Sequence, residues 1–175
     1  MAEEYLKNVW LVTRVYKYGM LIMLDATNAV RFFCYRRGCP LTVFITTKLS
    51  NRDQIAGNIR LALQNSMKRL GVKSIDLYLI HWPNPETFFD CWGKMEKLYE
   101  ERMAKAIGVC NFHQLHLERL LKIASIIPAV NQVELHPLLL QKELCEYCVS
   151  KSIRVEAYFP PCSYTSKVNK KQSVG

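Results

Sequence analysis

From residue 43 onward the chain alternates short apolar runs rich in β-branched residues with longer amphipathic stretches, and that alternation restricts it to a parallel α/β fold. VFITT (43–47) predicts a strand. Asp53 to Leu70 predicts a helix, with Ile55, Ile59, Leu63, Met67 and Leu70 three or four residues apart and Gly71 at the expected end. The cycle repeats through a strand at IDLYLI (75–80) and a helix from Glu86 to Arg102 whose apolar face carries Phe89, Trp92, Met95 and Tyr99. It continues through KAIGV (105–109), a helix from His113 to Ile123, AVNQVE (129–134), a helix from Leu140 to Ser150, and IRVEAY (153–158). Strands separated by helices are parallel neighbours, because only a crossover of this length returns the chain to the same end of the sheet. An open doubly wound sheet and a (β/α) barrel both satisfy the spacing. No G-x-G-x-x-G follows any strand, which removes the main support for a dinucleotide-binding open sheet.

The first 42 residues are less regular. GMLIMLDAT (19–27) reads as a sixth, earlier strand ending at Asp25, Glu3 to Tyr18 as a helix before it, and Val30 to Pro40 as a helix stopped by Gly38 and Pro40. Beyond Phe159 the chain turns to Pro, Ser, Thr, Asn, Gln and Lys. The expected organisation is one domain over residues 1–160 and a polar, disordered tail over 161–175.

Half of the 175 residues are hydrophobic, enough for a sizeable core. The longest apolar run near the start, Met20 to Leu24, is too short for a membrane span or a secretory core, so no membrane association and a cytoplasmic location are expected. The net charge of +9 suits an anionic partner such as a phosphorylated cofactor, or simply a basic surface. No basic helix or aromatic-basic motif points to nucleic acid. Cys145 and Cys148 form a Cys-x-x-Cys pair inside a helical stretch with no second pair or spaced histidines, so they read as buried small apolar residues and no metal site is expected.

In parallel α/β folds functional groups gather at the C-terminal ends of the strands. Lys48, His81, Cys110 with Asn111, Gln132 and Tyr158 end the five successive strands, and Asp25 ends the earlier one. Each has an ordinary reading: a solvated lysine, a packed histidine, an asparagine capping the next helix. Gln132 inside an apolar strand is harder to dismiss, since a buried amide needs partners. Together, lysine, histidine and aspartate suit a tuned proton donor beside a carbonyl, and two amides with an aromatic ring suit a nicotinamide. No G-x-S-x-G elbow, metal triad or P-loop is present.

FITTKL (44–49), SMKRLGVKSIDLYLIHWP (66–83), KAIGVCNF (105–112), PAVNQVELHP (128–137) and CVSKSIRVEAY (148–158) resemble the aldo-keto reductase superfamily in order and spacing. LHPLLLQKELCEYCVSKSI resembles most the kinetoplastid prostaglandin F synthase type. The resemblance covers roughly residues 41–160, and more loosely 19–40. It implies a (β/α)8 TIM barrel that binds NADPH and reduces an aldehyde or ketone to an alcohol. It further implies catalytic roles for Asp25, Lys48 and His81, cofactor contacts from Cys110, Asn111, Gln132 and Tyr158, and a place for Trp82 beside the substrate pocket.

The sequence also departs from the family. The family tyrosine stands five residues beyond the aspartate, where this chain has Val30; Tyr35 is ten beyond. Cys110 replaces a serine, a weaker hydrogen-bonding group. The N-terminal hairpin, opening strand and final strand of the family are not visible. The resemblance therefore implies an incomplete barrel, truncated at both ends, with about six of eight parallel strands. Impaired turnover, weakened NADPH binding and self-association through exposed strand edges are expected. The alternative is an inactive barrel fragment that acts as a protein-binding or oligomerising module.

Overall fold

The computed structural model describes residues 44–158 in full and, before them, the backbone of three strands: β1 (Val9–Leu11), β2 (Met20–Leu24) and β3 (Val30–Cys34). The fully described part runs β4 (Ile45–Leu49), α1 (Asn51–Ile55), α2 (Ile59–Leu70), β5 (Leu77–Ile80), α3 (Phe88–Glu100), β6 (Ile107–Cys110), α4 (Gln114–Leu121), β7 (Val130–Glu134), α5 (Lys142–Ser150) and β8 (Arg154–Tyr158). The strands form a single sheet in the order β1-β8-β7-β6-β5-β4-β3-β2. β4 to β8 are parallel neighbours joined by helical crossovers, and β1 lies parallel to β8, so six strands share one direction. β2 and β3 run antiparallel to each other, and β3 antiparallel to β4. This is an incomplete (β/α)8 barrel.

The N-terminal third corrects three expectations. Val30 to Pro40 was expected as a helix, yet Val30–Cys34 is a strand paired with Met20–Leu24. The alternating VRFFC run has the β-branched and aromatic character that a strand accommodates. Met20–Leu24 is the expected strand, but five residues cannot make a crossover to Val30, so it folds back antiparallel. The sixth parallel strand is instead Val9–Leu11, inside the segment read as a helix from Glu3 to Tyr18; its valine is a β-branched residue. Asp25, Tyr35 and the 161–175 tail lie outside the described residues.

Within the described crossovers, the single helix expected from Asp53 to Leu70 is broken in two. Ser50 caps α1 by accepting from the Asp53 N–H at 3.1 Å, and Gly57 at φ +70° then turns the chain before α2 begins. Ile55, expected in the core, ends the first piece and is exposed. α2 buries Ile59, Leu63, Ser66 and Leu70 and ends at Gly71, whose φ of +68° supplies the left-handed cap. α3 turns a face slightly rotated from the one expected: Phe88, Cys91, Trp92, Met95 and Leu98 are buried while Tyr99 is exposed. Cys145 and Cys148 are buried on α5, in keeping with their reading as small apolar residues.

The core lies between the sheet and its crossover helices, around Leu63, Tyr78, Ile80, Trp92, Val109 and Phe112. Each large side chain removed from water there stabilises the fold by about 1.5–3 kcal/mol. Trp92 also donates its indole N–H to the Ile126 carbonyl at 3.2 Å, and Glu96 accepts from the Ser125 and Ile126 N–H groups, each at 2.8 Å. These bonds hold the connection into β7. Among the described residues no helix is long and apolar enough to cross a membrane.

At Gly108 the neighbouring strands approach closely. A Cβ there would stand 2.6 Å from the Val130 carbonyl oxygen and 2.8 Å from a Leu79 methyl. Gly108→Ala is therefore expected to destabilise the chain by about 1–3 kcal/mol through overpacking. Urea unfolding should show a lower midpoint at unchanged slope; an unchanged midpoint would mean that β6 and β7 separate freely.

Candidate functional site

The site is built by register. Parallel pairing sets Lys48 opposite Leu79, Cys110 opposite Gln132, Gln132 opposite Glu156 and Glu134 opposite Tyr158. The polar side chains of neighbouring strands are thus brought to the same end of the sheet. Lys48 and Cys110 belong to β4 and β6 themselves rather than following them, because pairing continues through Leu49 and Cys110. His81 follows β5 directly, held by its N–H donating to the Leu49 carbonyl at 3.3 Å.

Asn111 leaves β6 at φ +63°, a left-handed conformation that asparagine tolerates better than most residues. Its N–H donates to the Gln132 carbonyl at 2.9 Å. Its side-chain amide donates to the His81 carbonyl at 3.1 Å and to the Cys110 sulfur at 3.3 Å, while its oxygen accepts the Tyr158 hydroxyl at 2.6 Å. These bonds bring Tyr158 of β8, Asn111 after β6 and His81 after β5 into one network. Asn111 is not the cap of the following helix; that place is taken by His113.

A second chain of bonds runs beneath it. The Cys110 thiol donates to Gln132 Oε1 at 3.7 Å, and Gln132 Nε2 donates to a Glu156 carboxylate oxygen at 3.0 Å. Lys48 faces this group, its Nζ 5.8 Å from the Tyr158 ring centroid, within cation–π range. Trp82 stands outside the network, 46% exposed, with its ring centroid 6.3 Å from that of His81.

Burial and the Lys48 charge set the electrostatics. Burial, with Lys48 adding to it, lowers the His81 pKa below the ordinary imidazole value, so the ring is neutral near pH 7. Burial pushes the Cys110 thiol up to about 11 against the opposing pull of Lys48, so it remains a protonated donor. Burial likewise raises Glu156, while the Gln132 bond and Lys48 work the other way. Tyr158 is raised by burial first and then by Cys110 and Glu134.

The strand-end pattern did not single out two residues of this neighbourhood. Glu156 is one. Asn131 is the other: fully buried, it accepts from the Phe112 N–H at 3.4 Å and donates to the Phe112 carbonyl at 2.8 Å, clamping the turn that carries Asn111. Both are polar residues inside apolar strands, the same signal that drew attention to Gln132. Among the described residues no cluster of histidine, cysteine or acidic side chains is arranged to hold a metal ion.

Comparison with known proteins places this geometry. The profile of the Aldo/keto reductase family matches residues 28–166. The glyoxal reductase of Bacillus subtilis (strain 168) is 49% identical over 118 residues, covering 67% of this chain and 43% of that protein. The 9,11-endoperoxide prostaglandin H2 reductase of Trypanosoma cruzi (strain CL Brener) is 48% identical over 118 residues, covering 67% of this chain and 42% of that protein. An aldo-keto reductase from a Medee basin deep-sea metagenome library superposes with a TM-score of 0.68 at 41% identity, over 77% of this chain and 49% of the other. A Bombyx mori aldo-keto reductase solved in complex with NADP gives a TM-score of 0.61 at 37% identity, over 65% and 40% of the two chains. The chain thus spans less than half the length of the curated relatives it matches. Matched by the family profile over most of its length, the chain belongs to the aldo/keto reductase family.

Proposed function

We propose that this chain carries the nicotinamide-binding and carbonyl-orienting part of an NADPH-dependent reductase of aldehydes or ketones. The observation that carries the reading is the network joining the Tyr158 and Asn111 side chains to the His81 carbonyl at the ends of the parallel strands β8, β6 and β5, with Gln132 and Lys48 beside it. The hydrogen-bonding inventory fits a carboxamide. Both Asn111 Nδ2 hydrogens are used, as is one Gln132 Nε2 hydrogen, whereas each amide oxygen accepts one bond and has a second lone pair open. Two open acceptors suit a donor such as a carboxamide NH2, and the Tyr158 ring offers a face on which a planar ring stacks.

NADPH, when bound, supplies the hydride. Asn111, Gln132 and Cys110 hold its nicotinamide amide in this reading, and Tyr158 packs against the ring. The neutral His81 keeps one ring N–H, and in this reading that donor orients the substrate carbonyl. Lys48 places a positive charge where electron density gathers on the carbonyl oxygen. Trp82, exposed at the mouth, forms a wall for the apolar part of the substrate. Small carbonyl compounds are the proposed substrate class, in line with the name of the Bacillus subtilis relative; the name of the Trypanosoma cruzi relative points to a larger lipid substrate.

Proton donation is the weak point. The position five residues beyond Asp25 is Val30, which begins β3 and pairs with Leu24 and Thr46. Valine has no proton to give, and this favours a second reading in which the site binds cofactor but turns over poorly. Asp25 would be the partner of Lys48 by resemblance.

Titrating NADPH while following its fluorescence, with a generic aldehyde as substrate, tests both. Binding weakened by Asn111→Ala, with turnover about 10²–10⁴-fold below that of an intact family enzyme, is the expected result. A cofactor-blind chain would sink the reductase reading. Ordinary turnover abolished in Lys48→Met would instead sink the impairment.

The His81 environment gives a prediction for pH. Its folded pKa lies below the unfolded value of 6.5, so the unfolded chain binds the proton first and stability falls as the pH drops through 6.5 towards the folded value. Glu156 has the opposite sign: raised in the fold, it favours the folded state on the acid side, a contribution lost as pH rises through its raised value. His81→Gln should therefore flatten the decline in urea stability from about pH 7 to about pH 5. An unchanged decline would assign it to other groups such as His116, which burial also lowers.

A further inference from the structure

We propose that Glu156 is a positioning residue of this site, fixing which way round the Gln132 carboxamide lies and so making its oxygen, not its nitrogen, the group offered to a ligand. The inference rests on the reductase reading for the identity of that ligand, and on geometry alone for the orientation.

A glutamine amide has nearly the same shape either way round, so only its partners choose. Gln132 has two that disagree chemically. On one side Glu156 offers a carboxylate oxygen at 3.0 Å, which accepts; on the other Cys110 offers a thiol at 3.7 Å, which donates. The thiol is held protonated by burial. Turning the amide over would set oxygen against carboxylate, losing the stronger bond and adding a repulsion. It would leave the thiol only as a weak acceptor for the amide N–H, a role its sulfur already fills for Asn111 Nδ2. In a buried setting an unmade bond of this kind is costly, because water cannot replace the missing partner.

Register makes the contact obligatory. Gln132 and Glu156 are directly paired residues of β7 and β8, and Glu156 is two residues from Tyr158, hence on the same face of the strand. Among the described residues, the charged and titratable groups facing Glu156 are Lys48 from β4 and Cys110 from β6. Burial raises the Glu156 pKa, the Gln132 bond and the Lys48 charge work against that rise, and the ionised form is the one that can only accept. Protonated, or replaced by glutamine, the same position could donate as well as accept, and both orientations of Gln132 would be satisfied.

An analogue separates positioning from mere structure. 3-Acetylpyridine adenine dinucleotide phosphate, in reduced form, carries a methyl ketone where NADPH carries a carboxamide, so it lacks the NH2 donor. The wild-type chain should favour NADPH over the analogue, and Glu156→Gln should cut that preference on the order of five- to tenfold, the size expected of one neutral hydrogen bond. Glu156→Asp, which keeps the acceptor, should restore part of it. A Glu156→Gln chain that discriminates like wild type would overturn the proposal.

A second measurement needs no dinucleotide. The side-chain 15NH2 resonances of Gln132, assigned by their loss in Gln132→Leu, should form one set at neutral pH in the wild type and two sets or an averaged one in Glu156→Gln. If the wild type binds neither dinucleotide the reductase reading fails, and the resonances decide for Glu156. A single unshifted set in Glu156→Gln would then overturn it.

Discussion

The parallel register from β4 to β8 is the constraint on which the rest of this molecule depends. Lys48 against Leu79, Cys110 against Gln132 and Gln132 against Glu156 are facts of backbone pairing before they are facts of chemistry. Because side chains alternate across a strand, a slip of one residue would turn Lys48 or Gln132 to the opposite face and dissolve the site entirely. Gly108 guards that register on β6 by letting Val130 and Leu79 approach closely. Asn131 guards it on β7 by holding both backbone groups of Phe112.

Once the register is set, burial decides the chemistry. Lys48 brings a fixed charge to a region where His81, Cys110, Glu156 and Tyr158 are all pushed towards their neutral forms by loss of water. In such surroundings a single ammonium acts more strongly than it would in solvent. It lowers His81 further and works against the burial of Cys110 and Glu156. The cysteine standing where the family has serine fits this arrangement at a cost: its thiol donates to Gln132 only at a long 3.7 Å, so the orientation of that amide leans more heavily on Glu156.

The strand-helix alternation and the placing of Lys48, His81, Asn111, Gln132 and Tyr158 at strand ends are legible in the residues because each rests on a local pattern. The order of the strands, which the spacing leaves open between a doubly wound sheet and a barrel, follows only from the family resemblance. Details that depend on tertiary context are not legible there. The break at Gly57 is hidden by the apolar spacing of Ile55, Ile59 and Leu63, which runs across it at helical intervals although the glycine takes a left-handed φ of +70°. The buried face of α3 was misplaced by a small rotation, because Phe88 and Phe89, or Leu98 and Tyr99, are equally apolar and only packing chooses between them. Glu156 lies two residues short of the strand end, so a reading by strand ends does not reach it. Its meaning appears only beside Gln132.

The hairpin of β2 and β3 bears most on what the site can do. β3 pairs with β4 only at Val30–Thr46 and Arg31–Ile45, so beyond Thr46 the strand carrying Lys48 has β5 as its one partner among the described residues. The flank of Lys48 away from His81 is thus where a further group would have to approach for proton donation. On the described side, Lys48 lies over the Tyr158 ring and acts on Glu156, and neither offers a proton well placed for a carbonyl. Burial raises the Tyr158 pKa, and its hydroxyl proton is already committed to Asn111 at 2.6 Å. A donor that is both held by a strong acceptor and made less acidic is a poor general acid. The network proposed to hold a nicotinamide is therefore the same one that commits the Tyr158 proton elsewhere, so in that reading binding and proton transfer depend on different parts of the sheet.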